Sequence, residues 1–440
     1  MDNLAKRRHR SYSINPFVQS IFTADPSAHV WNDGRLYVYP SRDIDPAQGC
    51  DFMDKYHAFS TTDMVNWRDE GELFDSSKSP WGRPSGGFMW APDCAYRNGH
   101  YYFFYPHPSE EAWNDSWKIG VASSTSPTQG FADLGYIEGV GGFAMIDPAV
   151  FVDDDNTPYF YYGGGGHCMA AVLNDDMHSL KTPLVPMEGL GDFHEASWTF
   201  KRNGIYYLTY SDNHSGNNHL CYAMSDNPLG PWQAMGPYLA PTNCETSHGS
   251  VVEYKGQWYA FYHSDDLSQE GVLRSICVDP VEFNEDGTMR LVVQSRNGRL
   301  PLADAAPTPL GQLQAYGLNE AELTGVAARP FAGNYQDLAT EPIDRAEQVV
   351  TFDAVDGFAT GRVNLGFHYA TPAKLAKLQL FVNGKFETLL NLPFSGALDN
   401  FDGFSNYTVT IRPGKVNQIS IKGYEGTFAL EALSVEDYGE

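Results

Sequence analysis

The sequence predicts an all-β chain, a five-bladed β-propeller followed by a β-sandwich of jelly-roll type. One phrase recurs five times: a polar opener, a short apolar strand, a polar turn and an aromatic strand. The openers are Asp25, Asp93, Asp147, Glu195 and His248. They lie roughly fifty to seventy residues apart, a period that points to a propeller-like array. From about 316 the phrase disappears, and short alternating strands separated by turns such as Asn383-Gly384 take its place. Such texture suits a small sandwich.

Each repeat reads as a hairpin. The turns carry Asn-Asp-Gly, Asn-Gly or Lys-Gly, residues that accept the positive φ of a tight turn. Third strands are predicted at Tyr56–Thr61, Lys118–Ser123, Met169–Leu173, His219–Ser225 and Leu273–Val278. A fourth apolar stretch closes each unit, as at Glu70–Phe74 and Met289–Val293, giving four strands per blade. In such a ring the first strands line the axis and run the same way. The five openers should therefore meet at one axial end. Four carboxylates and a histidine crowded there are unfavourable unless they do chemistry or hold a cation.

In chain order, residues 1–13 read as a disordered basic tail and 14–300 as the propeller. The first blade carries an insertion, Ser41–Tyr56, with Asp43, Asp45, Asp51 and Asp54. Their spacing does not match an EF-hand, so a rim loop is expected. The segment Trp81–Trp90 is rich in glycine and aromatics, and Trp90 or Phe88 is expected to wall a sugar pocket, with a packing cluster at the rim as the alternative. Gly163–Gly166 is no phosphate loop, since no Gly-Lys-Ser/Thr follows, and His194-Glu195 is no zinc-protease motif, since Trp occupies position 198. Residues 301–315, with Pro301, Pro307 and Pro309, read as a linker. The sandwich, 316–440, has strands expected at Gln348–Phe352, Arg362–Tyr369, Lys377–Val382, Glu387–Leu390, Tyr407–Ile411, Asn417–Lys422 and Thr427–Val435.

Composition narrows the function classes. The net charge is −26, from 55 acidic and 29 basic residues, which argues against nucleic acid and anionic membranes as partners. Aromatics make up 14%, enough both for strand packing and for platforms on which sugar rings stack. Six cysteines without a CxxC pair suggest free thiols in a reducing compartment. The basic start lacks an apolar core, so no signal peptide is visible and a cytoplasmic location is expected. On that view the sequons at Asn114, Asn213 and Asn406 are chance matches.

The axial acids suit glycosidic hydrolysis with inversion. One carboxyl must keep a proton for the leaving oxygen while another, ionised, activates water across roughly 6.5–9.5 Å. A third carboxylate nearby is a direct way to raise the pKa of the first. Glu195, the longer acid, is the candidate donor.

The motifs Thr23-Ala-Asp-Pro26, Trp90-Ala-Pro-Asp93, Ile146-Asp-Pro-Ala149, Glu195-Ala-Ser-Trp198 and Ser247-His-Gly-Ser250 resemble glycoside hydrolase family 43, in the family's order and across nearly all of 14–300. The resemblance implies a general base at Asp25, a general acid at Glu195 and a third, pKa-raising acid at Asp147. It implies that His248 ligates an axial cation directly or through water, Ca²⁺ in many members. It implies that Arg274 holds the third acid ionised and touches substrate. Asp93 matches a second-blade acid, read either as a substrate contact or as a structural hydrogen-bonding group. The sandwich resembles a family 6 carbohydrate-binding module and either binds xylan or buttresses the propeller. The implied activity is removal of terminal arabinofuranose or xylose from arabinoxylan or xylo-oligosaccharides. Alternatives are a related enzyme acting on galactan or arabinan, a non-catalytic lectin-like propeller, and a scaffold for protein partners.

Overall fold

The computed structural model describes residues 2–46, 49–213, 218–296, 301–302 and 310–439. Five antiparallel sheets follow the repeat. Blade one is β1 (Thr23–Val30), β2 (Leu36–Arg42), β3 (Lys55–Thr61) and β4 (Trp67–Asp75). Blade two is β5 (Asp93–Arg97), β6 (His100–Pro108), β7 (Trp117–Ser124) and β8 (Ala132–Tyr136). Blade three is β9 (Ala149–Val152), β10 (Pro158–Gly164), β11 (His167–Val172) and β12 (Val185–Pro186). Blade four is β13 (Phe193–Arg202), β14 (Ile205–Asp212), β15 (Leu220–Ser225) and β16 (Gln233–Leu239). Blade five has three strands, β17 (Ser250–Tyr254), β18 (Gln257–Ser264) and β19 (Ser275–Val281).

The hairpin turns form for the reason the sequence gives. Asn98-Gly99, Asn203-Gly204 and Lys255-Gly256 each place two successive residues at positive φ, matching the twist of the flanking strands. The aromatic second strands then pack blade against blade. Tyr39, Tyr56, Phe103 and Tyr105 fill the space between blades one and two, and Phe104 and Phe160 that between two and three.

The expected fourth strand of blade five, Met289–Val293, does not form. Met289 forms an isolated bridge to Phe283, while its N–H donates to the Tyr222 hydroxyl at 2.9 Å and Val292 N–H to Tyr238 O at 2.7 Å, both in blade four. The free edge of β19 is occupied instead by the stretch ahead of β1. Phe17 N–H donates to Ile276 O at 3.1 Å and Thr23 N–H to Arg274 O at 2.9 Å. The Asn15 side chain bridges Val278, accepting from its N–H at 3.0 Å and donating to its O at 2.9 Å. The chain therefore closes its own ring.

The second region is a sandwich of two antiparallel sheets. One orders Leu313–Gly317, Ala429–Asp437, Arg362–Ala370 and Gly403–Thr410; the other orders Ala321–Thr324, Val349–Asp356, Lys415–Glu425, Leu375–Val382 and Lys385–Pro393. Their inner faces bury Leu365, Phe367, Leu378, Leu380, Ile419 and Val435 among others. Pro307 and Pro309 of the expected linker lie outside the described residues.

The tail is not disordered. Helix α1 (Asp2–Arg7) is followed by Arg8, which donates to Glu436 at 2.8 Å and to Asn364 Oδ1 at 2.7 Å, while Arg7 pairs with Glu431. Both glutamates belong to the sandwich and are buried. A basic tail on a strongly acidic chain is solvated only if no buried carboxylate awaits it, and the partners stand more than four hundred residues away in sequence. All six cysteines are unpaired, with Cys50 exposed and the others buried. Among the described residues no helix is long and apolar enough to cross a membrane.

Sandwich and propeller share polar contacts with blade one. Asp69 accepts from Gly71 N–H at 2.9 Å and from Thr408 N–H at 2.8 Å, and it also pairs with buried His57. Arg362 pairs with Glu70 at 2.8 Å. Replacing Asp69 by Ala would leave these donors unsatisfied inside protein. The expected loss is about 2–4 kcal/mol in urea unfolding; a change within a few tenths of a kcal/mol would show that the contacts are idle.

Candidate active site

The local backbone aims the acids. Asp25 and Asp147 adopt left-handed conformations, φ 52° and 54°, and Ala196, directly after Glu195, sits at φ 66°. Pairing also shifts register in β1 between Ala24 and Ser27, and in β13 on both sides of Glu195. Irregularities of this kind turn side chains away from the positions a regular strand would give them.

Asp25 is buried and held from several sides. Arg274 Nη1 donates to its Oδ1 at 3.0 Å, and Ser41 Oγ donates to Oδ2. Its N–H donates to His263 Nδ1 at 3.1 Å, and the other ring nitrogen lies 2.8 Å from Thr246 O. That pattern fixes the His263 tautomer with its proton on Nε2. Burial pushes the His263 pKa down to about 4, with Arg274 adding and Asp25 opposing. For Asp25 itself, burial raises the pKa, but Arg274, His263, His248 and Ser41 together outweigh it. The carboxyl stays below its ordinary range.

Arg274 is anchored in turn. Asp43 takes its guanidinium in a two-point grip, at 3.0 Å from Nε and 2.8 Å from Nη2, and also accepts its backbone N–H at 2.7 Å. The resemblance has Arg274 holding the third acid ionised; its hydrogen bonds go to Asp25 and Asp43, and its charge acts on Asp147 from a distance, in that same direction.

Asp147 and Glu195 lie on the other side of the charge balance. Burial, then the fields of Glu195 and Asp25, drive the Asp147 carboxyl well above its ordinary range. Burial likewise raises Glu195, with His194 opposing and Asp25 adding. Two carboxyls so coupled retain a proton as a pair. The Ala196 N–H, donating to Asp147 Oδ2 at 2.8 Å, favours the ionised form of that carboxyl, but burial outweighs it. The Glu195 side chain is also the more open of the two, 17% exposed against 5%. His248 lies with its Nδ1 3.6 Å from Asp147 Oδ2, and burial brings its pKa down to about 4.

The remaining predicted residues separate. Asp93, 1% exposed, is engaged on both oxygens: Ser27 Oγ, His29 Nε2 and Cys94 N–H approach Oδ1 at 2.6, 2.7 and 2.7 Å, and Val150 N–H donates to Oδ2 at 2.6 Å. It ties blades one, two and three together and is not placed to touch substrate. Phe88, also 1% exposed, backs a cluster of Trp90, Trp113, Trp117 and Ile146 and is closed off from solvent. Trp90 is part-exposed, its ring 4.5 Å from that of Trp117, beside the segment that carries Asp147.

Sequence reasoning missed Asp43, Ser41, Thr246 and His263. A signal for Ser41 and His263 lies in the repeat itself. The end of each second strand is paired with the start of the first, as Ser41 is with Ala24, so those positions also face the axial end. The insertion expected to be a rim loop distributes its acids: Asp43 to Arg274, and Asp45 to Lys377 of the sandwich at 2.9 Å.

A ring of blades that gathers an ionised carboxylate with a proton-retaining pair has the equipment for acid–base cleavage of a glycosidic bond. The chain belongs to the glycosyl hydrolases family 43, whose sequence profile matches residues 14–289. It is 34% identical to a xylosidase/arabinosidase of Bacteroides ovatus, over 60% of this chain and 93% of that protein. It is 32% identical to a beta-xylosidase of Xylanibacter ruminicola, over 62% of this chain and 97% of that one. The crystal structure of a beta-xylosidase/alpha-arabinofuranosidase from a compost microbial metagenome, in complex with xylotriose and in a calcium-free form, superimposes with a TM-score of 0.58 at 34% identity. That match covers 64% of this chain and 97% of the other. An arabinoxylan arabinofuranohydrolase from Bacillus subtilis, 22% identical with a TM-score of 0.55, matches the fold over 96% of this chain and 97% of its own.

Asp147 is held in a form that opposes folding at neutral pH. Its folded pKa is raised, so its contribution is neutral below the unfolded value near 3.8 and turns unfavourable as pH rises. Asp147→Asn is therefore expected to stabilise the protein by about 0.5–2 kcal/mol at pH 7.5. The gain should fade toward pH 4, as followed by chemical unfolding across pH. A destabilised variant at pH 7.5 would contradict the assignment.

Proposed function

We propose that the protein is an inverting glycosidase that removes terminal pentose, arabinofuranose or xylose, from arabinoxylan or xylo-oligosaccharides. The observation that carries this reading is the contact that sets Asp25 apart: Arg274 and Ser41 bind its carboxyl, while among the described residues no Arg or Lys bonds the buried Asp147 or Glu195. Asp25, ionised, takes a proton from a water as its oxygen attacks the anomeric carbon. Glu195 gives its proton to the departing glycosidic oxygen on the other face of the sugar. Asp25 is left protonated and Glu195 ionised, and exchange with solvent restores both. Asp147 stays out of the bond changes; with Glu195 it forms a buried pair that keeps one proton until the leaving oxygen develops negative charge. Trp90 offers a face for the sugar ring. The pentose substrates rest on the names of the similar proteins, and Glu195 and Asp25 on the geometry and charge described above.

The axial cation at His248 is a weaker fit. Its ring is neutral and could donate one nitrogen. Among the described residues no group of three or more His, Cys, Asp or Glu side chains is gathered to hold a metal, and Ca²⁺ takes six to eight oxygens. The side chains alone do not make a Ca²⁺ cage, so a cation held at His248 would take most of its oxygens from water, and no step above runs through a cation.

Nitrophenyl α-L-arabinofuranoside, β-D-xyloside and β-D-galactofuranoside, together with arabinoxylan oligosaccharides, test the reading, with the product anomer followed by NMR. A pentose released with inverted configuration is expected; retention would overturn the mechanism. Glu195→Ala should lower turnover of unactivated oligosaccharides by about 10²–10⁴-fold while the protein still folds and binds them.

The pH profile should be bell-shaped. Its acid limb reports Asp25 and lies below the ordinary carboxylate range; its alkaline limb reports the raised pair. Asp147→Asn removes the repulsion on Glu195 and is expected to move the alkaline limb to lower pH. A limb that stays in place in initial-rate measurements would remove Asp147 from that role.

A further inference from the structure

The chain has 55 acidic residues and 29 basic ones, yet one groove is lined by cations. The segment after α1 crosses the junction of propeller and sandwich, where Arg10 N–H donates to Asn66 Oδ1 at 2.6 Å. On one side it opens a groove, and behind it lies a smaller recess. Both are lined by Arg7, His9, Arg10, Gln19 and Phe404. None of the lining residues belongs to the catalytic cup.

The cations there are not equivalent. Arg7 and Arg8 are committed to Glu431 and Glu436, and Arg68 lies over the Tyr438 ring at 3.9 Å with Glu70 beside it. Arg10 is exposed as a residue, yet burial of its guanidinium lowers its pKa, with Tyr369 and Tyr12 opposing, and that group makes no hydrogen bond or ion pair with a described residue. His9 Nδ1 beside it is buried, with no hydrogen-bond partner among the described residues. Of the acids lining the two spaces, Asp69 and Glu436 are bound to other groups, which leaves Asp402 at the rim. Two large rings stand open to solvent in the same groove, Tyr12 at 55% and Phe394 at 60% exposure. A free guanidinium recognises a carboxylate through paired N–H donors. Flat aromatic faces suit the C–H face of a pyranose and offer nothing to a bare phosphate.

We propose that this groove binds a carboxylate-bearing sugar unit, a uronic acid carried on a xylan chain, with Arg10 on the carboxylate and Tyr12 and Phe394 on the ring faces. It extends the pentosidase reading above to an anchor remote from the bond that is cut. The anchor would select chains by their acidic branches and hold them near a site that removes neutral pentoses.

Calorimetry on full-length Glu195→Gln protein, which spares the ligand from hydrolysis, tests it. The probes are xylotriose bearing a glucuronic acid branch, neutral xylotriose and inorganic phosphate. The acidic oligosaccharide is expected to bind at least about tenfold more tightly than the neutral one, and more weakly as salt rises from about 50 to 300 mM. Adding Arg10→Ala should abolish that preference and Arg10→Lys should retain part of it. Phe394→Ala should weaken binding of the acidic probe. Arg10→Ala in the otherwise unaltered protein should hydrolyse nitrophenyl pentosides at the normal rate, which also reports intact folding. Equal binding of the two oligosaccharides, a preference that survives Arg10→Ala, or phosphate binding as tightly as the acidic sugar would each overturn the proposal. Should pentoside hydrolysis be absent while the preference holds, the activity reading falls and the groove stands.

Discussion

The pairing of Arg274 with Asp43 and Asp25 is the constraint on which the rest depends. A guanidinium sealed inside protein is strongly unfavourable without anionic partners. Asp43 grips it from two nitrogens and the backbone, which frees a third donor for Asp25. That one contact breaks the symmetry among three buried acids. Without it, burial and mutual repulsion would push all three the same way, and none would be ready to take a proton from water. With it, Asp25 stays ionised, and its charge in turn helps to raise both members of the pair across the cup.

The same residue sits at the seam of the ring. Arg274 precedes β19, and its carbonyl accepts from Thr23 N–H, the first residue of β1. Asp43 follows β2, so blade one and blade five meet both in backbone and in charge. The insertion that carries Asp43 is clamped from the sandwich, where Lys377 holds Asp45 and Arg42 reaches Thr388 at 2.5 Å and Tyr407 at 3.2 Å. The second domain therefore bears on the cup through the loop that positions its cation partner, although it contributes none of the three acids. Loosening the sandwich would loosen Asp43 before it disturbed Glu195, whose strand lies in blade four.

What could be read from the sequence was whatever repeats. The hairpins, their turns and the third strands recur with fixed grammar, and the acids Asp25, Asp147 and Glu195 occupy the same slot in it. Asp93 occupies that slot too and turned out to be a bolt between blades, because slot alone does not say which lone pairs neighbours will claim. Asp43 lies in the one blade insertion and has no counterpart elsewhere, so periodicity could not flag it. A reading that asked which carboxylates could accompany a buried Arg274 would have come nearer. Helix α1 was invisible for a related reason: its partners Glu431 and Glu436 are separated from it by nearly the whole chain.

Backbone conformation sorts the five openers in a way that composition cannot. Asp25 and Asp147 are themselves left-handed and Glu195 is followed by a left-handed alanine, whereas Asp93 and His248 have ordinary negative φ. For a non-glycine residue that region is unfavourable by about 1–2 kcal/mol, less for aspartate, whose short side chain can hydrogen-bond locally. Glycine would adopt it freely but carries no carboxyl. The strain is therefore inseparable from putting an acid at the bend of a strand entering the axis. It falls on the two aspartates and the neighbour of the glutamate that form the cup, and spares the aspartate that only joins blades. Burial of two carboxyls that repel each other adds to the same account. A fold under selection for stability alone would have kept Asp93 as it is and relaxed the other three.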